Sequence, residues 1–346
     1  MDDFDYILPV DRIAQQPAEP RDSSKLLYLN AADDLLVHYK FSDLTELLRP
    51  GDLVVINDTR VMAARFFGHR DGPNGAGAKV ELLLLNRLKN DLEWRALMRP
   101  ARIARPGLQL VLEAKQGPLI ATVISREGDY VFVRLNRDID VDSDGLLPLP
   151  RYIKNYDGEL ERYQTVYAQK PTSAAAPTAG LHFTEELLDK LKDRGVIFAN
   201  ITLDVGAATF MPIRATHPNK HLLDAEHFVI PADTAEALNR AHDDGRRIVA
   251  VGTTVVRTLE YAGRKGWPVQ AGEGYSDLFI VPGHKFSIVD VLITNFHLPR
   301  TSLLMLVSAF IGHERLMNAY EEAIARKYRF YSFGDAMFID SGRSQH

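Results

Sequence analysis

Between about residue 64 and residue 135 the chain changes texture, and this change restricts the possible folds more than any other feature. Short apolar runs recur at 79–85, 92–98, 108–112, 119–124 and 130–135, punctuated by Gly, Pro or Asn-Asp. Such spacing predicts a small antiparallel barrel or sandwich. On either side the pattern is different. Apolar runs at 26–29, 53–56, 196–205, 247–251, 276–280 and 288–294 read as strands. Helical patterns cover 41–48, 185–194, 233–245, 255–264, 301–310 and 315–327. Thr184 is the expected N-cap of one helix, Thr301 or Ser302 of another, and an Asp233–Glu236 capping box of a third. At 346 residues the chain is long enough for two domains, or for one large domain carrying an insertion.

The same segment is set apart by charge. The whole chain carries −5, but residues 65–137 hold 13 Lys and Arg against 7 Asp and Glu, a net +6, which leaves −11 for the remainder. Arg95, Arg99, Arg102 and Arg105 cluster within it, as a solvated face or a phosphate-contacting one. Asp138, Asp140, Asp142 and Asp144 alternate after it and read as a solvated connector, since the EF-hand pattern is absent. The chain has no cysteine, which excludes disulfides, thiolate nucleophiles and Cys-type zinc sites. Asp2, Asp3 and Asp5 do not make a secretory signal, and the longest greasy run, 303–312, is too short for a bilayer. The expectation is a cytosolic protein.

Polar residues at the ends of apolar runs are the candidate site. Pro177-Thr178-Ala179-Gly180-Leu181-His182-Phe183-Thr184 places small residues and a histidine before a helix, either as a ligand-facing turn or as a tight loop with His182 in the core. Asn57-Asp58-Thr59-Arg60 follows the strand at 53–56, at a position that is either ligand-facing or an ordinary turn. Gly252-Thr253-Thr254 joins a strand to a helix but lacks the lysine of a P-loop and the glycines of a dinucleotide fingerprint. Asn295-Phe296-His297-Leu298-Pro299-Arg300 follows the last strand before the C-terminal helices. His221, Asp224, Glu226 and His227 crowd one segment. Acid–base work by Glu226 is favoured there over a metal, because the spacing matches no ligand set. In an extended chain Glu226 and His227 take opposite faces.

Taken together, Asn57-Asp58-Thr59-Arg60, Arg162-Tyr163-Gln164-Thr165-Val166-Tyr167, the 176–183 motif and Thr294-Asn295-Phe296-His297-Leu298-Pro299-Arg300 occur in an order that resembles the S-adenosylmethionine:tRNA ribosyltransferase-isomerase family of queuosine biosynthesis. Pro20-Arg21-Asp22, Gly252-Thr253-Thr254 and 328–335 add to the likeness, which runs essentially end to end. The resemblance implies an α/β main domain, residues 1–63 and 146–346, interrupted by a smaller antiparallel β-barrel domain, residues 64–145. It implies that the ribose of S-adenosylmethionine is transferred to 7-aminomethyl-7-deazaguanine at the wobble position of tRNA and isomerised. Epoxyqueuosine tRNA, adenine and methionine are the products. S-adenosylmethionine is then a consumed substrate, no other cofactor or metal is expected, and the partner is a tRNA with a GUN-type anticodon. No membrane is involved and a monomer is expected.

This chemistry needs a base beside the sulfonium-acidified 5′ carbon and an acid for departing adenine. His182 and His297 are the expected proton-transfer groups. Glu226 or Asp58 would hold the sulfonium or ribose hydroxyls, and Arg60 and Arg300 the methionine carboxylate or a phosphate. The Thr178–Gly180 and Gly252–Thr254 turns would cradle the nucleoside. Arg21, Asn57, Tyr163, Gln164, Thr253, Thr254 and Asn295 complete the expected substrate contacts, and Arg95, Arg99, Arg102 and Arg105 would meet tRNA. The chain departs from the family at Leu203-Asp204-Val205-Gly206-Ala207-Ala208-Thr209-Phe210, where Leu-His-Val-Gly-x-Gly-Thr-Phe is usual. It departs again at Asp224-Ala225-Glu226, where His-x-Glu is usual. Two histidines have become carboxylates, so the expected site is more acidic. The competing readings are a methyltransferase or other S-adenosylmethionine enzyme with another substrate, and a non-catalytic tRNA-binding relative.

Overall fold

The computed structural model describes residues 4–32, 35–72, 77–88, 90, 92–154, 156–206 and 225–343. His221, Asp224 and residues 207–210, singled out above, lie outside the described residues.

The chain begins with the antiparallel hairpin β1 (Lys25–Asn30) and β2 (Leu35–Lys40), followed by the short helix α1 (Leu44–Leu47). β3 (Leu53–Asn57) is buried at all five positions, the mark of a strand covered on both faces. β4 (Thr59–Val61) follows at once, so Asn57-Asp58-Thr59-Arg60 is a strand-to-strand corner rather than a simple turn.

Six strands then form a closed antiparallel barrel: β5 (Arg65–Arg70), β6 (Lys79–Arg87), β7 (Glu93–Arg99), β8 (Gln109–Leu112), β9 (Leu119–Glu127) and β10 (Tyr130–Leu135), in the order β10-β7-β6-β5-β8-β9. Period-two alternation sorts each strand. On β7 Trp94, Ala96 and Met98 fill the barrel while Arg95 and Arg99 face outward. Asp144 differs from its expectation as part of a solvated connector. It is 1% exposed, accepts an ion pair from Arg137 at 2.5 Å, and its carboxyl is held below the usual range chiefly by that guanidinium.

After the barrel, β11 (Lys170–Ser173) pairs with β4, and α2 (Glu185–Asp193) is capped by the Thr184 hydroxyl, which accepts the Leu187 amide at 3.1 Å. Then come β12 (Ile197–Leu203), β13 (Glu226–Ile230), α3 (Ala232–Asp243), β14 (Ile248–Val251), α4 (Thr253–Gly263), β15 (Gly272–Ser276), β16 (Val291–Asn295), α5 (Ser302–Ile311), α6 (His313–Ala325) and β17 (Ala336–Asp340). Two local expectations fail. The strand expected at 276–280 lies four residues earlier, as β15, and 277–280 form an irregular segment that buries Leu278 and Ile280. The Asp233 cap also fails. Pro231 precedes the first helical residue, and Asp233 binds only its neighbour's amide.

The main sheet runs β15-β13-β12-β3-β14-β16-β17-β1-β2 among the described residues. β12, β3, β14 and β16 are mutually parallel, and β17 runs against β16. One face packs α3, α4, α5 and α6 against Val55, Ile201, Leu203, Ala250 and Leu292. The other packs α1 and α2 against Val54, Ile56, Val249, Val251 and Ile293. At the amino edge Arg247 bridges Asp52 at 2.6 Å and Asp340 at 2.9 Å. Burial pushes the nearby Asp290 carboxyl up to about 6. No helix among the described residues is long and apolar enough to cross a membrane.

Candidate active site

Because four strands are parallel, their carboxyl ends share one edge, the usual ligand side of an open α/β sheet. Asn57-Asp58, Asp204, Gly252–Thr254 and Asn295–His297 all stand there. β13 runs antiparallel to β12, so its first residue, Glu226, arrives at the same edge. The alternation of each strand then divides these residues between the two faces.

On the α2 face Asp58 is 1% exposed. Its carboxylate accepts the Asn200 amide and the Thr202 hydroxyl, each at 2.7 Å, and Lys170 donates to that hydroxyl at 3.0 Å. Asp204 meets His227 Nδ1, on the neighbouring strand, at 3.1 Å. Its second oxygen is buried without a partner among the described residues.

His182 closes this face. Residues Thr178–His182 form a 3-10 turn rather than an open loop, and the ring stacks on Phe41 at 4.9 Å. Asn295 Nδ2 donates to the Tyr331 carbonyl at 3.1 Å and lies 3.0 Å from His182 Nε2. A carbonyl only accepts, so the amide nitrogen faces it and His182 Nε2 is the acceptor. The ring proton is then on Nδ1, toward Ser24 Oγ at 2.8 Å. Burial above all, with the Arg329 and Arg21 charges, lowers this imidazole to about 3. His182 is neutral with both nitrogens engaged, so it positions neighbours rather than shuttling protons in the free protein. Asn295 Oδ1 is left buried and unpartnered among the described residues. Beside His182 is a shallow open cleft, with room for about 10 Å³, lined by Arg21, Arg162, Ser332 and Phe333.

On the α4 face Glu226 is 6% exposed, ion-paired with Arg257, and accepts the Gly206 amide at 3.0 Å. Its carboxylate is committed, which argues against its expected use as a free acid or base. His297 sits at the end of β16. Its amide donates to the Tyr320 hydroxyl at 2.9 Å and its carbonyl accepts from Tyr6. Nε2 lies 2.9 Å from Thr294 Oγ1, and burial lowers the ring to about 4. The Thr294 hydroxyl can donate or accept, and in the tautomer whose Nε2–H donates to it the Nδ1 lone pair is the available base.

Other expected contacts act as ties. Asn57 holds the Leu203 amide and carbonyl at 3.0 and 3.2 Å. Gln164 bridges both main-chain groups of Val61 at 2.9 Å, beneath a fully buried Tyr163. Arg21 donates to the carbonyls of Gln164 and Leu181. Arg60 forms a fork with Glu161, both bonds 2.9 Å, and Arg300 pairs with Asp5 at 2.6 Å. In the free protein both arginines expected to meet the methionine carboxylate or a phosphate are therefore paired with exposed carboxylates. The two expected cradle turns do meet: a Cβ on Gly252 would sit 3.7 Å from Ala179 Cβ. Gly252 has φ 92°, open to glycine. On the barrel Arg95 stacks 3.7 Å over Tyr130, Arg99 approaches Glu81 at 3.9 Å, and Arg102 and Arg105 are exposed.

Sequence reasoning missed Ser24, Asn200, Thr202 and Arg257. Arg257 alone carried a signal, four residues after Thr253 on the helix opened by Gly252. No group of three or more His, Asp or Glu converges for a metal among the described residues.

The neutral histidines give a first test. A ring whose folded value lies below its unfolded value of about 6.5 takes up its proton on unfolding, so stability falls as the pH drops below 6.5. Replacing His182 with Gln is expected to remove about one proton from the pH slope of urea unfolding between pH 6 and 4. An unchanged slope would show that His182 is already charged in the native state.

A family model described as queuosine biosynthesis protein matches residues 1–339. An S-adenosylmethionine:tRNA ribosyltransferase-isomerase from Carboxydothermus hydrogenoformans is 49% identical over 340 residues, 97% of this chain and 98% of the relative. One of the same name from Symbiobacterium thermophilum is 48% identical over 345 residues, 98% and 99%. The crystal structure of a Thermotoga maritima S-adenosylmethionine tRNA ribosyltransferase superposes with a TM-score of 0.56 at 37% identity, covering 97% of this chain and 99% of that one. On the match over nearly its whole length, this chain belongs to the queuosine biosynthesis protein family.

Proposed function

We propose that the chain is an S-adenosylmethionine:tRNA ribosyltransferase-isomerase. It transfers the ribose of S-adenosylmethionine to the aminomethyl group of 7-aminomethyl-7-deazaguanine in tRNA and isomerises it, giving epoxyqueuosine tRNA, adenine and methionine. The observation that carries this reading is near-half identity, end to end, to relatives of that name. S-adenosylmethionine is a consumed substrate, and no metal has a role. The protein acts as a cytosolic monomer on tRNAs with a GUN-type anticodon.

Within this reading the nucleoside lies across the carboxyl edge and touches both faces. His297 takes the 5′ proton, because its ring is neutral and has an uncommitted nitrogen. His182 and Asn295 hold the 178–182 turn against the ligand, and the unpartnered Asn295 Oδ1 accepts a ligand hydrogen bond. Asp58 and Asp204 supply the negative field that stabilises the sulfonium. The Thr178–Gly180 and Gly252–Thr254 turns supply main-chain polar groups beside it.

The test is adenine release, followed by chromatography, from S-adenosylmethionine and tRNA carrying 7-aminomethyl-7-deazaguanine. Adenine in step with modified tRNA is the expected result. S-adenosylhomocysteine instead would make the chain a methyltransferase, and tRNA binding with no product a binding protein. Arg102 and Arg105, exposed on the barrel, meet tRNA phosphates. Their joint replacement by Ala is expected to raise the KM for tRNA, leave that for S-adenosylmethionine unchanged, and reduce the salt slope of tRNA binding by about one to two. An unchanged slope would move the tRNA surface elsewhere.

A further inference from the structure

The methionine carboxylate of the substrate needs a cationic partner, and Arg60 and Arg300 are paired with surface carboxylates. Helix α4 offers another. Its N-cap is Gly252, which contributes no side-chain cap, so the positive end of an 11-residue helix opens at the carboxyl edge. The Thr254 hydroxyl is buried and has no hydrogen-bond partner among the described residues. Arg257 follows three residues later on the same helical face and is only 9% exposed. Its Nη1 serves Glu226 and its Nε donates to the Leu278 carbonyl at 3.1 Å. Its Nη2 is buried with no partner among the described residues. A buried guanidinium nitrogen and a buried hydroxyl left unpaired at an uncapped helix end are costly unless a ligand satisfies them.

We infer that Thr254 and Arg257 hold the methionine carboxylate of S-adenosylmethionine. The unpaired groups here are a guanidinium N–H and a hydroxyl able to donate, so the missing partner is a hydrogen-bond acceptor, and an anionic acceptor makes the stronger, charge-assisted bond to the guanidinium. Glu226 already neutralises one side of Arg257 and fixes the plane of its guanidinium, leaving the outer nitrogen to make one directed bond. Burial selects between the two anions available. A phosphodiester is chained at both ends to a polymer and reaches exposed cations. A carboxylate at the tip of a slender chain reaches a nitrogen this enclosed. Arg257 is therefore a substrate-binding residue, and Glu226 positions it.

This inference rests on the proposed activity, and the experiment separates the two. Binding of S-adenosylmethionine and of its decarboxylated analogue to the full-length protein is measured by calorimetry, alongside adenine release with the modified tRNA. The native protein is expected to favour S-adenosylmethionine at least about tenfold, the value of one charged hydrogen bond. Arg257→Lys keeps a cation beside Glu226 but loses the fork, and Thr254→Val loses the hydroxyl. Each is expected to bring the ratio toward one. Equal binding of the two ligands by the native protein, or a full ratio in Thr254→Val and Arg257→Lys, overturns the inference. So does a loss of tRNA affinity in Arg257→Lys with the ratio intact, which would make the anion a phosphate. Should Arg257→Lys fail to fold, the native ratio and Thr254→Val decide. Native discrimination that collapses in the variants, without adenine release, would keep the carboxylate site and sink the activity.

Discussion

Exchanging His297 for Gln is expected to reduce adenine release by about 10²–10⁴-fold while the KM for S-adenosylmethionine stays close to native. The argument begins with burial. A ring lowered to about 4 is neutral throughout the physiological range, so it arrives able to accept a proton. Its main chain is pinned between the hydroxyls of Tyr6 and Tyr320, and Thr294 fixes the ring through Nε2. In the tautomer with the proton on Nε2, Nδ1 is the basic atom. Gln can keep the bond to Thr294 but cannot take a proton of this kind. The measurement is steady-state adenine release, with unfolding monitored in parallel. Turnover within about fivefold of native would remove His297 from proton transfer and return attention to Asp58. The same burial predicts that the free enzyme's pH–rate profile has no limb near 6.5 from this group. His182 is a different case. Both its nitrogens are used, so its replacement should lower stability as well as turnover.

The second large effect is steric. A Cβ at Gly180 would collide with the Tyr167 hydroxyl, and it would lie 2.8 Å from Thr165 Cγ2 and 3.0 Å from Tyr167 Cζ. Gly180 is inside the turn that carries His182, and its carbonyl accepts the Phe183 amide at 3.3 Å. Relief by moving the backbone therefore displaces His182 and the cap of α2 together. Gly180→Ala is expected to cost about 3 kcal/mol of stability and most of the activity. Tyr167→Phe removes the oxygen that collides, so Gly180→Ala/Tyr167→Phe is expected to recover a large part of both. Urea unfolding of the four proteins of this cycle measures the coupling. Strict additivity would mean that Gly180 is required for a reason other than Tyr167.

How much of this was legible in the chain varies by element. The barrel could be read because its strands alternate, and alternation is local: Glu93–Arg99 states by itself which residues face in. β3, β14 and β16 could be read as continuous apolar runs, and α2 and α5 because Thr184 and Thr301 cap them as expected. Asp144 was misread because its partner, Arg137, becomes visible only when the connector folds back on itself. Arg60 and Arg300 were expected to meet a methionine carboxylate or a phosphate, and the sequence did not show their partners in the free protein. Their actual partners are set by where residues 161 and 5 come to rest.

The sequence by itself determined the fold class, the family and the set of polar residues that end the strands. These follow from periods of two and 3.6 and from motifs a few residues long. The tertiary structure decided which of those residues share a face, that Glu226 is committed to Arg257, and that His182 and His297 are neutral. A strand's face is defined only when its register against a neighbour is fixed, and the charge state of a buried group depends on residues far away in the chain. His182 lies 113 residues from the Asn295 that fixes its proton, and 158 from the Ser24 that receives it.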